Sequence, residues 1–185
     1  KYLFVDYTEL YTEYSANAGK WGDNIGTTAD TPVTYSFASH GTYFWDVNAY
    51  PSQAEMDAFK AIEANTQTQI IDFTAAEKLL VEEAFERWSD FSGLSFTETT
   101  ESLSGTPSYG DIRLAKLDFS DWYAAGGGNT EFDVFGSAQA FAYFPQTGLG
   151  QDSGDIFVDA DTYSDYGLGY FKYIIAHEAG HAIGF

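Results

Sequence analysis

Apolar and polar residues alternate through Val33-Thr34-Tyr35-Ser36-Phe37, the period-two signature of a half-buried strand. The period then changes. Thr74 and Glu77 stand as a capping box, and behind them Val81, Ala84, Phe85 and Trp88 recur at helical spacing to give one apolar stripe that ends at Gly93. That stripe is expected to pack into the core, with Val81, Phe85 and Trp88 away from any metal-bearing face. A second capping box, Ser52 with Glu55, predicts a shorter helix through about Ile62. Strand patterns return at Leu94–Glu98, Asp111–Leu117, Ala138–Phe144 and Asp155–Asp159, with Ala124–Asn129 read as a glycine-rich surface loop. A last helix is predicted over Tyr170–Ile183, with Phe171, Ile175, Ala179 and Ala182 facing the core. Residues 1–30 show no regular period and read as an irregular arm, leaving 31–185 as one folded unit. Strand, long helix, several strands and a final helix make an α+β fold, one sheet covered by two helices.

Composition supports a single core and narrows the partners. Apolar residues are 44 % of the chain, including 16 Phe and 14 Tyr, which is ample for a domain of 185 residues. No run approaches the roughly 20 apolar residues that span a bilayer. Acidic residues number 28 against 8 basic ones, a formal net charge of -20. Such a surface repels phosphate backbones, so nucleic acid is not an expected partner. Cysteine is absent, which excludes disulfides, thiolate metal sites and a cysteine nucleophile within these residues. The opening Lys1-Tyr2-Leu3-Phe4-Val5 has neither an initiator Met nor a signal-peptide layout, as expected of a processed or partial chain.

The chemistry concentrates in His177-Glu178-Ala179-Gly180-His181-Ala182-Ile183-Gly184-Phe185. Residues four apart share one helix face, so the imidazoles of His177 and His181 can grip one metal ion. Neutral imidazole suits zinc, whose catalytic sites take three protein ligands and keep a position open for water. Glu178, beside the first ligand, is placed to act as general base on a metal-activated water. Gly184 lets the chain leave the helix in a left-handed turn. His40, the third of three histidines, sits beyond the first strand and is read as a solvated loop residue.

This terminal segment, from Tyr173 to Phe185, resembles the metzincin zinc proteases. Collinear support comes from Val33–Phe37, from Arg87-Trp88-Ser89-Asp90 running into Leu94–Glu98, and from Gly110-Asp111-Ile112-Arg113. Ala138–Pro145 followed by Gly154-Asp155-Ile156 completes the series. The resemblance covers about residues 30–185 and implies the N-terminal subdomain of a zincin-like catalytic domain. Its fold would be a twisted, mostly parallel sheet of about five strands with two long helices, the second carrying the zinc motif. It implies a secreted, extracellular endopeptidase that binds a protein or peptide substrate against an edge strand, with Ala140, Phe141, Ala142 and Tyr143 as substrate-binding positions. Side-chain packing is the competing reading at those positions. In the family a third His follows the glycine by three residues, a position past Phe185.

Matrixins also hold a second, structural zinc through histidines. The matching positions here are Phe141 and Phe157, so no structural zinc is expected, and the resemblance leans toward the serralysin-like branch. Structural Ca²⁺ is a further candidate around Asp152, Asp155, Asp159 and Asp161, against the plainer reading of a solvated acidic turn. Two other functions compete with the peptidase: a zincin-fold binding module without catalysis, and a zinc hydrolase whose third ligand is a distant carboxylate. Substrate preference and oligomeric state are not legible.

Overall fold

The computed structural model describes residues 31–41, 66, 68–102, 108–124, 138–145 and 154–185. The expected arm at 1–30, the helix behind Ser52 and most of the Ala124–Asn129 loop lie outside the described residues. Among the described residues eight named elements follow in chain order: β1 (Thr31–Phe37), α1 (Ala75–Ser92), β2 (Leu94–Glu98), β3 (Ile112–Leu117), α2 (Phe119–Ala124), β4 (Ala140–Ala142), β5 (Ile156–Asp159) and α3 (Thr162–Ala182). The five strands form one sheet in the order β2-β1-β3-β5-β4. All neighbours are parallel except β4, which runs antiparallel to β5 at the edge. The α+β, mostly parallel architecture is the one expected from the sequence.

Two Gly-Asp-Ile triplets set the sheet's register. Asp111, just before β3, accepts both the amide and the hydroxyl of Thr34 on β1, each at 2.7 Å. Asp155, just before β5, accepts the Arg113 amide on β3 at 2.8 Å. Each carboxylate thus ties the start of its own strand to the neighbouring strand. Every residue of β3 is buried, including Arg113 and Lys116. Those two charges are paired: Arg113 donates from Nε and Nη2 to both oxygens of Glu101, each at 2.9 Å, and Lys116 meets Glu77 at 2.7 Å. Buried charges persist only with partners of this kind.

Helix α1 begins at the predicted capping box. The Glu77 amide donates to Thr74 Oγ1 at 3.3 Å and the Thr74 amide to Glu77 Oε2 at 2.6 Å, and Gly93 closes the helix in the left-handed region. Leu80, Val81, Ala84 and Phe85 are buried against the sheet, where Phe85 packs on Tyr35 and Phe96.

Helix α3 is longer than its apolar period predicted. It starts at Thr162 and is interrupted at Gly167 (φ 76°, ψ 178°), so the straight helix carrying the motif begins after that residue. Exposed Tyr166 and Leu168 flank the break and give no apolar signal toward the core. The short helix α2 was not predicted. Asp118 caps it, accepting the Asp121 amide at 3.0 Å and the Ser120 hydroxyl at 2.7 Å.

Candidate metal centre

Phe171, Ile175, Ala179 and Ala182 on α3 are all fully buried, as their spacing predicted. This fixes the rotation of the helix and turns His177 and His181 to the opposite side. Their Nε2 atoms stand 3.1 Å apart. Two nitrogens bound to one zinc at about 2.05 Å, at a tetrahedral angle, sit about 3.3 Å apart. The pair is therefore spaced for a single ion.

The other nitrogen of His181 has a local partner. Its Nδ1 lies 3.1 Å from the Phe185 backbone oxygen, and its Nε2 faces His177. Phe185 reaches that position through the helix end. Gly184 (φ 96°) donates to the His181 carbonyl at 3.0 Å and Phe185 to that of Gly180 at 2.9 Å, a Schellman motif with the glycine in the left-handed place. The surrounding protein, and then His181, hold the His177 imidazole below its ordinary pKa, which favours the neutral form that ligates.

Glu178 points away from solvent and is only 7 % exposed. Burial pushes its carboxyl up to about 8, and no hydrogen bond or charge among the described residues offsets that. An unpaired buried carboxyl beside two convergent imidazoles is the expected setting of a working acid–base group.

Among the described residues no third His, Asp or Glu joins the pair. His40 is in an exposed turn, its amide 3.3 Å from Asp72, and takes no part. The acidic group considered for calcium divides. Asp155 is buried on the Arg113 amide, Asp159 accepts the Phe119 amide at 3.1 Å, Asp161 is exposed at the start of α3, and Asp152 lies outside the described residues.

The edge strand is where the sequence put it, though the regular strand is only Ala140–Ala142. Phe144, just beyond it, sets its ring against His181 with centroids 5.2 Å apart, so this edge runs beside the imidazole pair. Ala140 and Phe141 are buried, and the Phe141 ring lies in a cluster with Phe119, Tyr143 and Phe157. Packing is thus the role of the Phe141 side chain.

One expectation fails here. Trp88 does not point away from the metal helix. Its indole donates to the Ala176 carbonyl at 2.8 Å and its ring lies over Gly180 and Phe185. Trp88 continues the apolar stripe of α1, so in sequence it looks like one more core residue. Neither its partner nor that of the Phe185 carbonyl has a local signal.

Sheet, helix and paired imidazoles together define a zincin-like domain. The matrixin family model matches residues 45–185, and the chain belongs to that family. Among its relatives are matrix metalloproteinase-18 of Xenopus laevis, 27 % identical over 146 residues, covering 76 % of this chain and 28 % of that protein. Matrix metalloproteinase-15 of Homo sapiens is 38 % identical over 114 residues, covering 56 % and 15 %. Interstitial collagenase of Sus scrofa is 32 % identical over 109 residues, covering 56 % and 20 %. The chain thus spans less than a third of the length of these relatives. The comparisons support the matrixin side of the resemblance and offer nothing for the serralysin-like branch.

Proposed function

We propose that this chain is part of the catalytic domain of a zinc-dependent endopeptidase, with His177 and His181 as metal ligands and Glu178 as general base. The observation that carries this reading is the 3.1 Å approach of the two Nε2 atoms beside the buried Glu178 carboxyl. Zinc held there would supply Lewis-acid polarisation of the scissile carbonyl and acidify a water. Glu178 takes a proton from that attacking water as its oxygen bonds to the carbonyl carbon. It then delivers the proton to the amine nitrogen as the C–N bond breaks. The third ligand comes from outside the described residues.

The substrate is a protein or peptide lying along the outer edge of β4. Tyr143 donates to the Asp155 carbonyl and Asp159 to that of Gln139, each at 2.9 Å. In an antiparallel ladder bonded pairs alternate, so Phe141 bonds inward to Phe157 while the amides and carbonyls of Ala140 and Ala142 face outward. An extended peptide can add there as a further strand, with Tyr143 at the end of the run. We assign the protein to the extracellular space, in keeping with its acidic surface and its matrix metalloproteinase relatives; none of the described helices is long and apolar enough to cross a membrane. Structural Ca²⁺ is part of the same proposal.

The test is Glu178→Gln in the full-length protein. Zinc content is expected to stay at the wild-type level while peptide hydrolysis falls by at least about a hundredfold, the lower range for a general base. Hydrolysis that survives the substitution would support a non-catalytic role for Glu178. Loss of zinc along with activity would make Glu178 a support of the site. In the wild type, a chelator should abolish hydrolysis and added zinc restore it.

A further inference from the structure

We infer that Trp88 is a positioning residue for the His177–His181 pair, acting from α1 through Phe185 and the backbone of the metal helix. The inference rests on the zinc-site reading above. Three contacts converge on one indole. Its Nε1–H donates to the Ala176 carbonyl at 2.8 Å, immediately before the first ligand. Its six-membered edge covers Gly180 so closely that a Cβ there would stand 2.7 Å from Cζ2 and 3.3 Å from Cη2. Its ring packs on Phe185 with centroids 5.2 Å apart. Trp88 therefore touches the backbone before the ligands and between them, and the Phe185 side chain after them.

The consequence runs through Phe185. Its ring packs on the indole, while its amide is held by the Gly180 carbonyl at 2.9 Å. Its backbone oxygen lies 3.1 Å from His181 Nδ1, a contact that sets the direction of the imidazole ring. With the indole gone, Phe185 loses the surface its ring packs on, and the contact that directs the His181 ring is no longer braced from α1. At the other end the Ala176 carbonyl loses its cross-helix donor. The bare Gly180 is the counterpart of this arrangement, because any side chain there would displace the indole.

The experiment uses the full-length protein with zinc and cobalt(II) as probes. Trp88→Leu is expected to weaken zinc binding about tenfold, as loss of a group that orients a metal ligand does, and to shift the visible bands of the cobalt-substituted protein. Trp88→Phe keeps a ring on Phe185 and should bind zinc within about threefold of wild type. Phe85 packs on Tyr35 and Phe96, away from the motif, and a Phe85 variant matched in melting loss serves as control. That control should keep both zinc affinity and cobalt spectrum. Unchanged zinc affinity in Trp88→Leu, equal loss in the Phe85 control, or no recovery in Trp88→Phe would each overturn the inference. A wild type that binds no zinc would fail the reading of the site itself, a distinct result.

Discussion

The rings of Phe141 and Phe157 stack face to face, centroids 4.7 Å apart and planes 11° apart, directly opposite each other across β4 and β5. These are the positions at which the resemblance sets the histidines of a second zinc in matrixins. Phenylalanine offers no lone pair to a metal, so the residues present do not fit that ion. The same cross-strand contact is made by apolar surface instead, extended by Phe119 and Tyr143. Phe157→Ala should therefore lower unfolding stability by about 3–5 kcal/mol, the range for a buried aromatic. Denaturant titration is the check, with metal analysis beside it. A loss under about 1 kcal/mol would show that the aromatic pair does not hold this edge of the sheet.

Thr74→Ala should cost about 1 kcal/mol, since it removes the hydroxyl that accepts the Glu77 amide. Zinc affinity is expected to stay unchanged, because the cap lies at the far end of α1 from Trp88. Thermal unfolding equal to wild type would show that the cap contributes nothing, and a fall in zinc affinity would show that the start of α1 reaches the site.

Glu77 has a second partner, and this gives a pH dependence. Burial alone would raise its pKa, but the Lys116 ammonium and the bonds from Thr74 outweigh it and hold the carboxyl below its ordinary value of 4.5. A carboxyl lowered on folding contributes stability that is present above its unfolded pKa and lost as pH falls through the folded one. Glu77→Gln keeps the capping geometry but leaves Lys116 buried without a counter-charge, a loss of about 3–5 kcal/mol at neutral pH. Unfolding followed from pH 7 downward should show the two proteins converging below about pH 4. A constant gap across that range would mean that the ion pair is not the source of the difference.

Most of the fold was legible because its elements obey strong local rules. The Thr74–Glu77 box, the Gly93 stop and the alternation in Val33–Phe37 all act within a few residues and survive folding unchanged. His177, Glu178 and His181 were legible for the same reason: four-residue spacing on a helix is enough to bring two imidazoles to one point. What escaped was non-local or weakly periodic. Trp88 and Ala176 are 88 residues apart, and nothing in either segment announces their bond. The regular edge strand is only Ala140–Ala142, with one bond to β5's chain continuing on each side of it, at Gln139 and at Tyr143. The start of α3 was missed because Gly167 and Gly169 lower helix propensity and the flanking Tyr166 and Leu168 face solvent.

Those two glycines make an opposed pair of predictions. Gly167 sits at φ 76° and ψ 178°, a backbone region that side chains with a Cβ avoid, and it divides α3 into a short first turn and the straight helix that carries the ligands. Space is not the constraint, since an added Cβ at either Gly167 or Gly169 would meet nothing within 4 Å. Conformation is. Gly167→Ala must either strain that residue or straighten the break, and should cost about 1–3 kcal/mol. Gly169 is helical, with no positive φ, so Gly169→Ala removes only chain entropy from the unfolded state and should stabilise by about 0.5–1 kcal/mol. Melting curves of the two single variants supply the comparison. Equal effects, or stabilisation by both, would mean that the break at Gly167 is not required and that α3 can run continuously from Thr162.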